Sequence, residues 1–171
     1  ELVRIGTLTV LNDCYNANPA SMQNALATLS QLKGSGPFSR TVFICGEMGE
    51  LGAESDVLHA ELGRAIAEAG VDLLLAVGSP TETTAAVAGE TAQHEFQAHC
   101  FEDTECLCKN LEQWIAPHDI ILVKGSRTAR LELAVEALAE RFGRAAARPI
   151  EEIAAPRTRR RPAEVKDRAQ G

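Results

Sequence analysis

Short apolar runs alternate with helical patterns along most of this chain, and this alternation constrains the fold more than any other feature. Three runs of the kind found in buried parallel strands lie at 41–45, 72–77 and 119–123. A segment with helical periodicity follows each of them. Strands and helices in this order form βαβ units, in which the strands are parallel. The sequence therefore predicts an α/β, three-layer Rossmann-like domain whose mainly parallel sheet has about six strands.

Further segments complete the predicted sheet and its helices. Gly6 and Thr7 separate the strand-like runs 3–5 and 8–11, which predicts a tight hairpin and an antiparallel edge. Another short strand is predicted at 98–101. Helices are predicted over 22–32, 55–69, 81–91, 103–115 and 128–142.

The charge distribution divides the chain into two parts. Residues 144–171 carry eight Lys or Arg and four Asp or Glu, a net charge of +4, and are rich in proline. Residues 1–143 carry nine basic and twenty acidic residues, a net charge of −11. We therefore predict a folded domain at 1–143 and a flexible basic tail at 144–171 without a core of its own. The acidic body argues against a nucleic-acid partner, and no run reaches the roughly 18 apolar residues of a membrane span.

The cysteines and histidines indicate neither disulfides nor a metal site. Five cysteines occur at irregular spacing without a Cys-x-x-Cys pair, so reduced thiols in a cytoplasmic protein are expected. The four histidines show no metal-ligand spacing, and we expect no zinc site. The chain begins Glu-Leu-Val-Arg, without Met or a signal peptide, and we expect it to be part of a longer protein.

Polar loops follow three of the predicted strands, at 12–18, 46–52 and 124–127. The carboxyl ends of parallel strands share one edge of a sheet, so these loops are expected to converge. Ordinary turns are the alternative, because Asn18 suits a helix N-cap and Pro19 suits the first helical position. The chain has no G-x-x-x-x-G-K-[ST] sequence and no G-x-G-x-x-G sequence that opens a helix after a strand.

The three loops together resemble one enzyme family. They read DCYNANP at 13–19, GEMGELG at 46–52 with His59 downstream, and VKGSR at 123–127 with Glu132 downstream. In this order and spacing they resemble the C-terminal domain of the Mur ligases over roughly residues 1–143. Within that family, the branch that adds D-alanyl-D-alanine to UDP-N-acetylmuramoyl-tripeptide is the most similar.

The resemblance implies an ATP-dependent amide ligase of peptidoglycan precursor synthesis with three domains. ATP would phosphorylate the tripeptide carboxylate, and the amine of D-alanyl-D-alanine would attack the acyl phosphate. ATP, Mg²⁺ and the UDP-linked substrate would be bound mainly by the other two domains. A cytoplasmic, monomeric enzyme is implied, and this chain alone would be inactive.

The resemblance also implies roles for individual residues. Asp13 would bind the ATP ribose, a role that suits a carboxylate facing two hydroxyl groups. Tyr15 and Asn16 are the other nucleotide-binding candidates, and Asn16 and Asn18 would each face either the phosphates or the dipeptide. The substrate-binding candidates are Asn18, Glu47, Lys124, Ser126 and Arg127. Lys124 and Arg127 would neutralise the dipeptide carboxylate, and Ser126 could donate to the same carboxylate. No catalytic or metal-binding residue is assigned.

Structural alternatives remain open at several of these positions. Asp13 could cap a turn, Lys124 could be a solvated strand end, and His59 is expected to pack or cap rather than to do chemistry. Glu47 stands where many relatives have Asp. For the chain as a whole, the alternatives are a freestanding small-molecule-binding α/β module without turnover and the equivalent domain of another Mur or folylpolyglutamate-type ligase. The reading frame upstream of Glu1 would discriminate between ligase and module.

Overall fold

The computed structural model describes residues 1–143, and the predicted tail at 144–171 lies outside the described residues. The strands are β1 Leu2–Ile5, β2 Leu8–Asn12, β3 Arg40–Gly46, β4 Leu73–Val77, β5 Gln97–Phe101 and β6 Asp119–Lys124. The helices are α1 Pro19–Lys33, α2 Ser55–Glu68, α3 Thr81–Thr91, α4 Thr104–Trp114 and α5 Glu132–Phe142. Among these residues, no helix has the length and apolar content required to cross a membrane.

The six strands form one sheet in the order β1-β2-β6-β3-β4-β5. β1 and β2 are antiparallel, and every other neighbouring pair is parallel. Gly6 turns the hairpin between β1 and β2 with a φ of 59°, a left-handed conformation that glycine adopts without strain. The predicted fold is confirmed, including the antiparallel edge.

Helices cover both faces of the sheet and make three layers. Alternate strand residues such as Phe43 and Leu74 pack with α1, α2 and α3, whereas Ile44 and Leu75 pack on the other side with α4 and α5. The parallel strands β3, β4 and β6 are buried on both faces, as their continuous apolar sequences predict.

The last strand occupies a central place in the sheet. The chain passes from β2 to β3, β4 and β5 through α1, α2 and α3 on one face, and returns through α4 on the other face. β6 then lies between β2 and β3, with Val123 opposite Asn12 and Lys124 opposite Cys45. The polar loops after β2, β6 and β3 therefore start side by side, which confirms their predicted convergence.

The last helix begins later than the sequence predicts. Residues Arg127–Ala129 form a short 3-10 turn, and Arg130 has a φ of 51°, so α5 begins only at Glu132 and not at residue 128. A left-handed residue cannot continue a right-handed helical path. Contacts of Ser126 and Thr128 with Glu47 hold this segment in the loop.

Gly63 lies where α2 meets α3, and it provides a matched test of packing. A Cβ atom at Gly63 would lie 2.6 Å from the Thr84 carbonyl oxygen, whereas a Cβ atom at Gly89 in α3 would meet nothing within 4 Å. We expect Gly63→Ala to lower the free energy of unfolding by about 1–3 kcal/mol through overpacking. Gly89→Ala should raise it by about 0.4–1 kcal/mol, because alanine restricts the unfolded chain. Urea unfolding of both variants checks the opposite signs, and two changes of the same sign would contradict this account of the helix contact.

Candidate functional site

A buried lysine joins the ends of β2 and β6. Lys124 is the last residue of β6 and is only 1% exposed. Its Nζ atom donates to Asp13 Oδ2 at 2.7 Å and to the main-chain oxygen of Asn16 at 2.7 Å. The Asp13 amide donates to the Val123 carbonyl at 2.9 Å, so the loop after β2 folds across the end of β6. Lys124 is therefore not a solvated strand end.

Asp13 lies at the boundary between this buried ammonium and solvent. Its side chain is 47% exposed, so part of the carboxylate remains accessible while Oδ2 binds Lys124. The buried cation has its counter-charge and two acceptors, as a buried charge requires. The alternative of a simple turn cap does not account for this ion pair.

The two asparagines of the first loop shape its backbone. Asn16 Oδ1 accepts from the Ala17 amide at 2.8 Å. Asn18 forms a capping box with Ser21 at the start of α1, as its N-cap position predicts. Both amide oxygens are thus engaged locally, and the side-chain NH₂ groups make no hydrogen bond within residues 1–143. These groups could donate to a ligand anion.

Arg127 and Tyr15 form an exposed pair across the same two loops. The Arg127 guanidinium carbon lies 5.0 Å from the centroid of the Tyr15 ring, within the range of a cation–π contact. Tyr15 is 72% exposed, and Arg127 is also exposed. An anion that approaches this edge meets the guanidinium of Arg127, whereas the ammonium of Lys124 is covered.

The loop after β6 is also tied to the loop after β3. The Ser126 amide donates to the main-chain oxygen of Glu47 at 2.8 Å. Thr128 Oγ1 lies 2.9 Å from Glu47 Oε1 and 2.6 Å from Ser126 Oγ. An ionised carboxylate only accepts hydrogen bonds, so Thr128 donates to Glu47 and Ser126 donates to Thr128.

The direction of the hydrogen bond from Ser126 to Thr128 limits the role that Ser126 can have in substrate binding. Its single hydroxyl proton is engaged by Thr128, so a donor role toward a substrate carboxylate would require Ser126 to break that bond. Sequence reasoning did not single out Thr128. Thr128 lies two residues after Ser126, and this spacing does not indicate a hydrogen bond between them. The bond forms because the backbone turn brings the two hydroxyl groups together.

Two motif glycines let these loops touch. A Cβ atom at Gly125 would lie 2.8 Å from the Gly46 Cα, and one at Gly46 would lie 2.7 Å from the Ala129 Cβ. Cβ atoms in proteins essentially never lie this close to another atom, so a side chain at either position would force the neighbouring loop to shift. The glycine of each motif serves close backbone approach at the ends of β3 and β6.

His59 is a packing residue, as expected. Its ring is fully buried, with Nδ1 2.9 Å from Thr84 Oγ1, while Thr84 donates to the His59 carbonyl at 3.1 Å. Because the Thr84 proton is used there, Nδ1 carries the imidazole proton, and Nε2 has no partner within residues 1–143. Burial lowers the pKa of His59, while the negative charges of Glu47 and Asp56 oppose that change.

Folding stability is therefore expected to fall with acidification. The unfolded chain binds a proton at His59 below about pH 6.5, whereas the folded chain resists it. Stability from this residue is complete above that pH and decreases below it, by at most about 1.4 kcal/mol per pH unit. Urea unfolding between about pH 7 and pH 5 should show a shallower dependence for His59→Gln than for the unaltered chain. Parallel pH profiles would contradict the assignment.

Two clefts border the site at the carboxyl edge of the sheet. One, of about 320 Å³, runs along α1, and its lining includes Asp13, Asn24 and Thr28. The other, of about 230 Å³, lies at the ends of β3, β4 and β5, and its lining includes Glu47 and Thr128. Within residues 1–143, no group of three His, Cys, Asp or Glu side chains is placed to hold a metal ion.

Known proteins share both the sequence and the fold of this chain. The family model described as "Mur ligase, glutamate ligase domain" matches residues 1–127. The UDP-N-acetylmuramoyl-tripeptide--D-alanyl-D-alanine ligase of Escherichia coli (strain K12) is 38% identical over 133 residues, which cover 77% of this chain and 27% of the relative. The ligase of the same name from Bacillus subtilis (strain 168) is 30% identical over 141 residues, covering 82% of this chain and 30% of the relative.

Solved structures agree with this relationship. A crystal structure of MurF from Acinetobacter baumannii superimposes with a TM-score of 0.67 at 28% identity, covering 82% of this chain and 30% of that one. MurF ligase from Thermotoga maritima in complex with ADP shares the fold, with a TM-score of 0.64 at 22% identity, covering 84% and 30%. The chain spans less than a third of the length of these relatives. By its sequence and its fold, the chain belongs to the family of Mur ligase glutamate ligase domains.

Proposed function

We propose that this chain is the C-terminal domain of an ATP-dependent ligase that adds D-alanyl-D-alanine to UDP-N-acetylmuramoyl-tripeptide. One observation carries the proposal: the three motif loops leave adjacent strands β2, β6 and β3, joined by the Lys124–Asp13 pair and the Thr128–Glu47 bond. The names of the relatives support the same reaction. In it, ATP converts the tripeptide carboxylate to an acyl phosphate, which the dipeptide amine attacks.

In this proposal the first loop serves the nucleotide. Asp13 keeps a solvent-facing part of its carboxylate that can accept from the ribose hydroxyl groups. The buried ammonium of Lys124 orients that carboxylate through its hydrogen bond and does not bind a substrate directly. Tyr15 and the free NH₂ group of Asn16 lie in the same loop and complete the nucleotide side of the site.

The loop after β6 serves the dipeptide. Arg127 is exposed and presents a planar set of donors that matches a carboxylate in a bidentate contact. Its contact with the Tyr15 ring restrains the guanidinium before a substrate arrives. Asn18 and Glu47 remain the other substrate-binding candidates, with Ser126 acting through Thr128.

The rest of the reaction machinery is assigned to the remainder of a longer protein. The phosphate-binding loop, Mg²⁺ and the UDP-sugar site would lie there, and the folded domain at 1–143 would close over the bound nucleotide. The tail at 144–171 has no role in this scheme. The complete enzyme is proposed to be monomeric and cytoplasmic.

The complete reading frame provides the test. Upstream of Glu1 we expect codons for a P-loop domain and a UDP-sugar-binding domain, and the complete purified protein should form the amide only when ATP and D-alanyl-D-alanine are both present. The isolated chain should consume no ATP above a blank, because closing an active site between domains requires both domains.

Two results would overturn this function. A complete reading frame without those domains would favour the freestanding binding module, and a complete protein that makes no amide would exclude the ligase. Dipeptide-dependent ATP consumption by the isolated chain, free of contaminating ligase, would contradict its expected silence.

A further inference from the structure

Glu47 has one carboxylate oxygen held and the other free. Oε1 accepts from Thr128, whereas Oε2 makes no hydrogen bond within residues 1–143. Oε2 lies over Gly78, 3.7 Å from the position that a Cβ atom of residue 78 would occupy. Gly78 has a φ of 91°, a conformation that L side chains rarely adopt, so this side of the carboxylate stays open.

The hydroxyl groups behind Glu47 fix the direction in which it points. Ser126 donates to Thr128, and Thr128 donates to Glu47, so neither hydroxyl can rotate without losing a bond. The Ser126 amide also holds the main chain of Glu47. Glu47 is thus held at both its backbone and its side chain. Its carboxylate is fixed in one orientation, as is required of a group that acts on a substrate at a defined position.

The free oxygen borders a cleft suited to a cationic group. Glu102 and Asp103 line this cleft together with Glu47, and no lysine or arginine among residues 1–143 lines it. An amine near neutral pH arrives mainly as an ammonium ion, since an α-amino group has a pKa of roughly 8. It must lose a proton before it can attack a carbonyl carbon, and a fixed carboxylate can take that proton.

We propose that Glu47 accepts a proton from the incoming amine and that Thr128 is the positioning residue that aims its carboxylate. The inference rests on the proposed ligase function and assigns the amine end of the substrate to the cleft beside Gly78. Arg127, on the loop after β6, would hold the carboxylate at the other end of the dipeptide.

Amide formation moves two protons from the nitrogen and one phosphate from the carbonyl carbon. The ammonium nitrogen gives one proton to Glu47 Oε2 and keeps the electron pair. That pair forms the bond to the carbonyl carbon of the acyl phosphate, and the carbon–oxygen bond to phosphate breaks, with its electrons leaving on the phosphate. The departing phosphate takes the second nitrogen proton, and the Glu47 proton passes to solvent.

The test compares three variants of the complete ligase. Thr128→Val removes the hydroxyl at constant shape and should lower kcat/KM for D-alanyl-D-alanine roughly 10-fold. Thr128→Ser keeps the hydroxyl and should restore most of the activity. Glu47→Gln still accepts from Thr128 but cannot take a proton, and should lower kcat about 10²- to 10⁴-fold. The KM for ATP should not change, because the proposed nucleotide contacts lie in the loop after β2. The unfolding midpoint should shift only slightly, because Thr128 is exposed and its hydrogen bonds are replaced by bonds to water.

The pH profile distinguishes a proton acceptor from a structural residue. The deficit of Thr128→Val should be largest near about pH 7 and should shrink near about pH 9, where more of the dipeptide amine is already neutral. A deficit that is equal at both pH values would overturn the proposal, as would full activity of Thr128→Val or equal losses in Thr128→Ser and Thr128→Val. Failure of the ligase function itself would appear separately, as an unaltered enzyme that forms no amide.

Discussion

Lys124→Ala is expected to lower the free energy of unfolding by about 2–5 kcal/mol, the range for truncating a large buried side chain. The Lys124 side chain is almost fully buried, and its alkyl stem fills space at the end of β6. Lys124→Met keeps most of that volume without the charge. The free energy needed to remove an ammonium group from water offsets much of the attraction in its ion pair. The free energy of unfolding of the methionine variant should therefore differ from that of the unaltered chain by less than about 1.5 kcal/mol.

Urea unfolding of the chain checks both changes. Lys109→Ala, at an exposed position of α4, is a control that should stay within about 0.5 kcal/mol of the unaltered chain. Equal destabilisation of the alanine and methionine variants would show that the charge pair, and not the packing of the stem, stabilises the fold. In the proposed complete ligase, the methionine variant should still raise the KM for ATP, because Asp13, the proposed ribose-binding residue, loses the ammonium group that holds its carboxylate.

Arg127→Ala is expected to reduce kcat/KM for D-alanyl-D-alanine roughly 10- to 100-fold in the proposed complete ligase. In the proposed role, a charge-assisted pair between Arg127 and the dipeptide carboxylate would contribute about 1.5–3 kcal/mol in a closed site, and holding that end of the dipeptide would set the geometry of attack. The KM for ATP should change little. Arg130→Ala is a suitable control and should leave kcat/KM for the dipeptide unchanged. Arg130 is also exposed, and its Nη1 atom lies 4.0 Å from Glu105 Oε1.

Asp13→Asn is the complementary variant, because it should affect the use of ATP where Arg127→Ala affects the use of the dipeptide. It should raise the KM for ATP and largely spare the dipeptide, because its proposed partner is the ribose. Asparagine is preferable to alanine here, since Lys124 retains an acceptor for its buried ammonium. Steady-state kinetics with each substrate varied in turn would show an error in the assignment if Arg127→Ala impaired ATP use and spared the dipeptide.

The fold and the convergence of the loops were predictable because both follow from the strand pattern. Apolar runs in alternation with helices fix a parallel sheet, and a parallel sheet places its exits on one edge. Asn18 and Pro19 likewise start α1 by rules that act within a few residues.

The partners within the site were not predictable by the same reasoning. Lys124 and Asp13 are 111 positions apart, and nothing local to either residue indicates that they pair. The late start of α5 depends on the left-handed backbone of Arg130. Glycine is the usual sequence signal for that conformation, and arginine gives no such signal. The Thr128–Glu47 bond requires that turn. Sequence reasoning thus identified the charged groups at this edge but not which of them neutralise each other.

The central place of β6 has a consequence for how the chain reaches its native state. β2 and β3 do not pair with each other, and both pair with β6. During synthesis from the amino terminus, the hairpin β1–β2 and the group β3–β4–β5 are complete before the strand that unites them emerges. Pairing over such sequence distances slows folding, and the open edges of β2 and β3 are sites for association with other chains. The nascent chain is therefore most vulnerable to aggregation just before residue 119 becomes available.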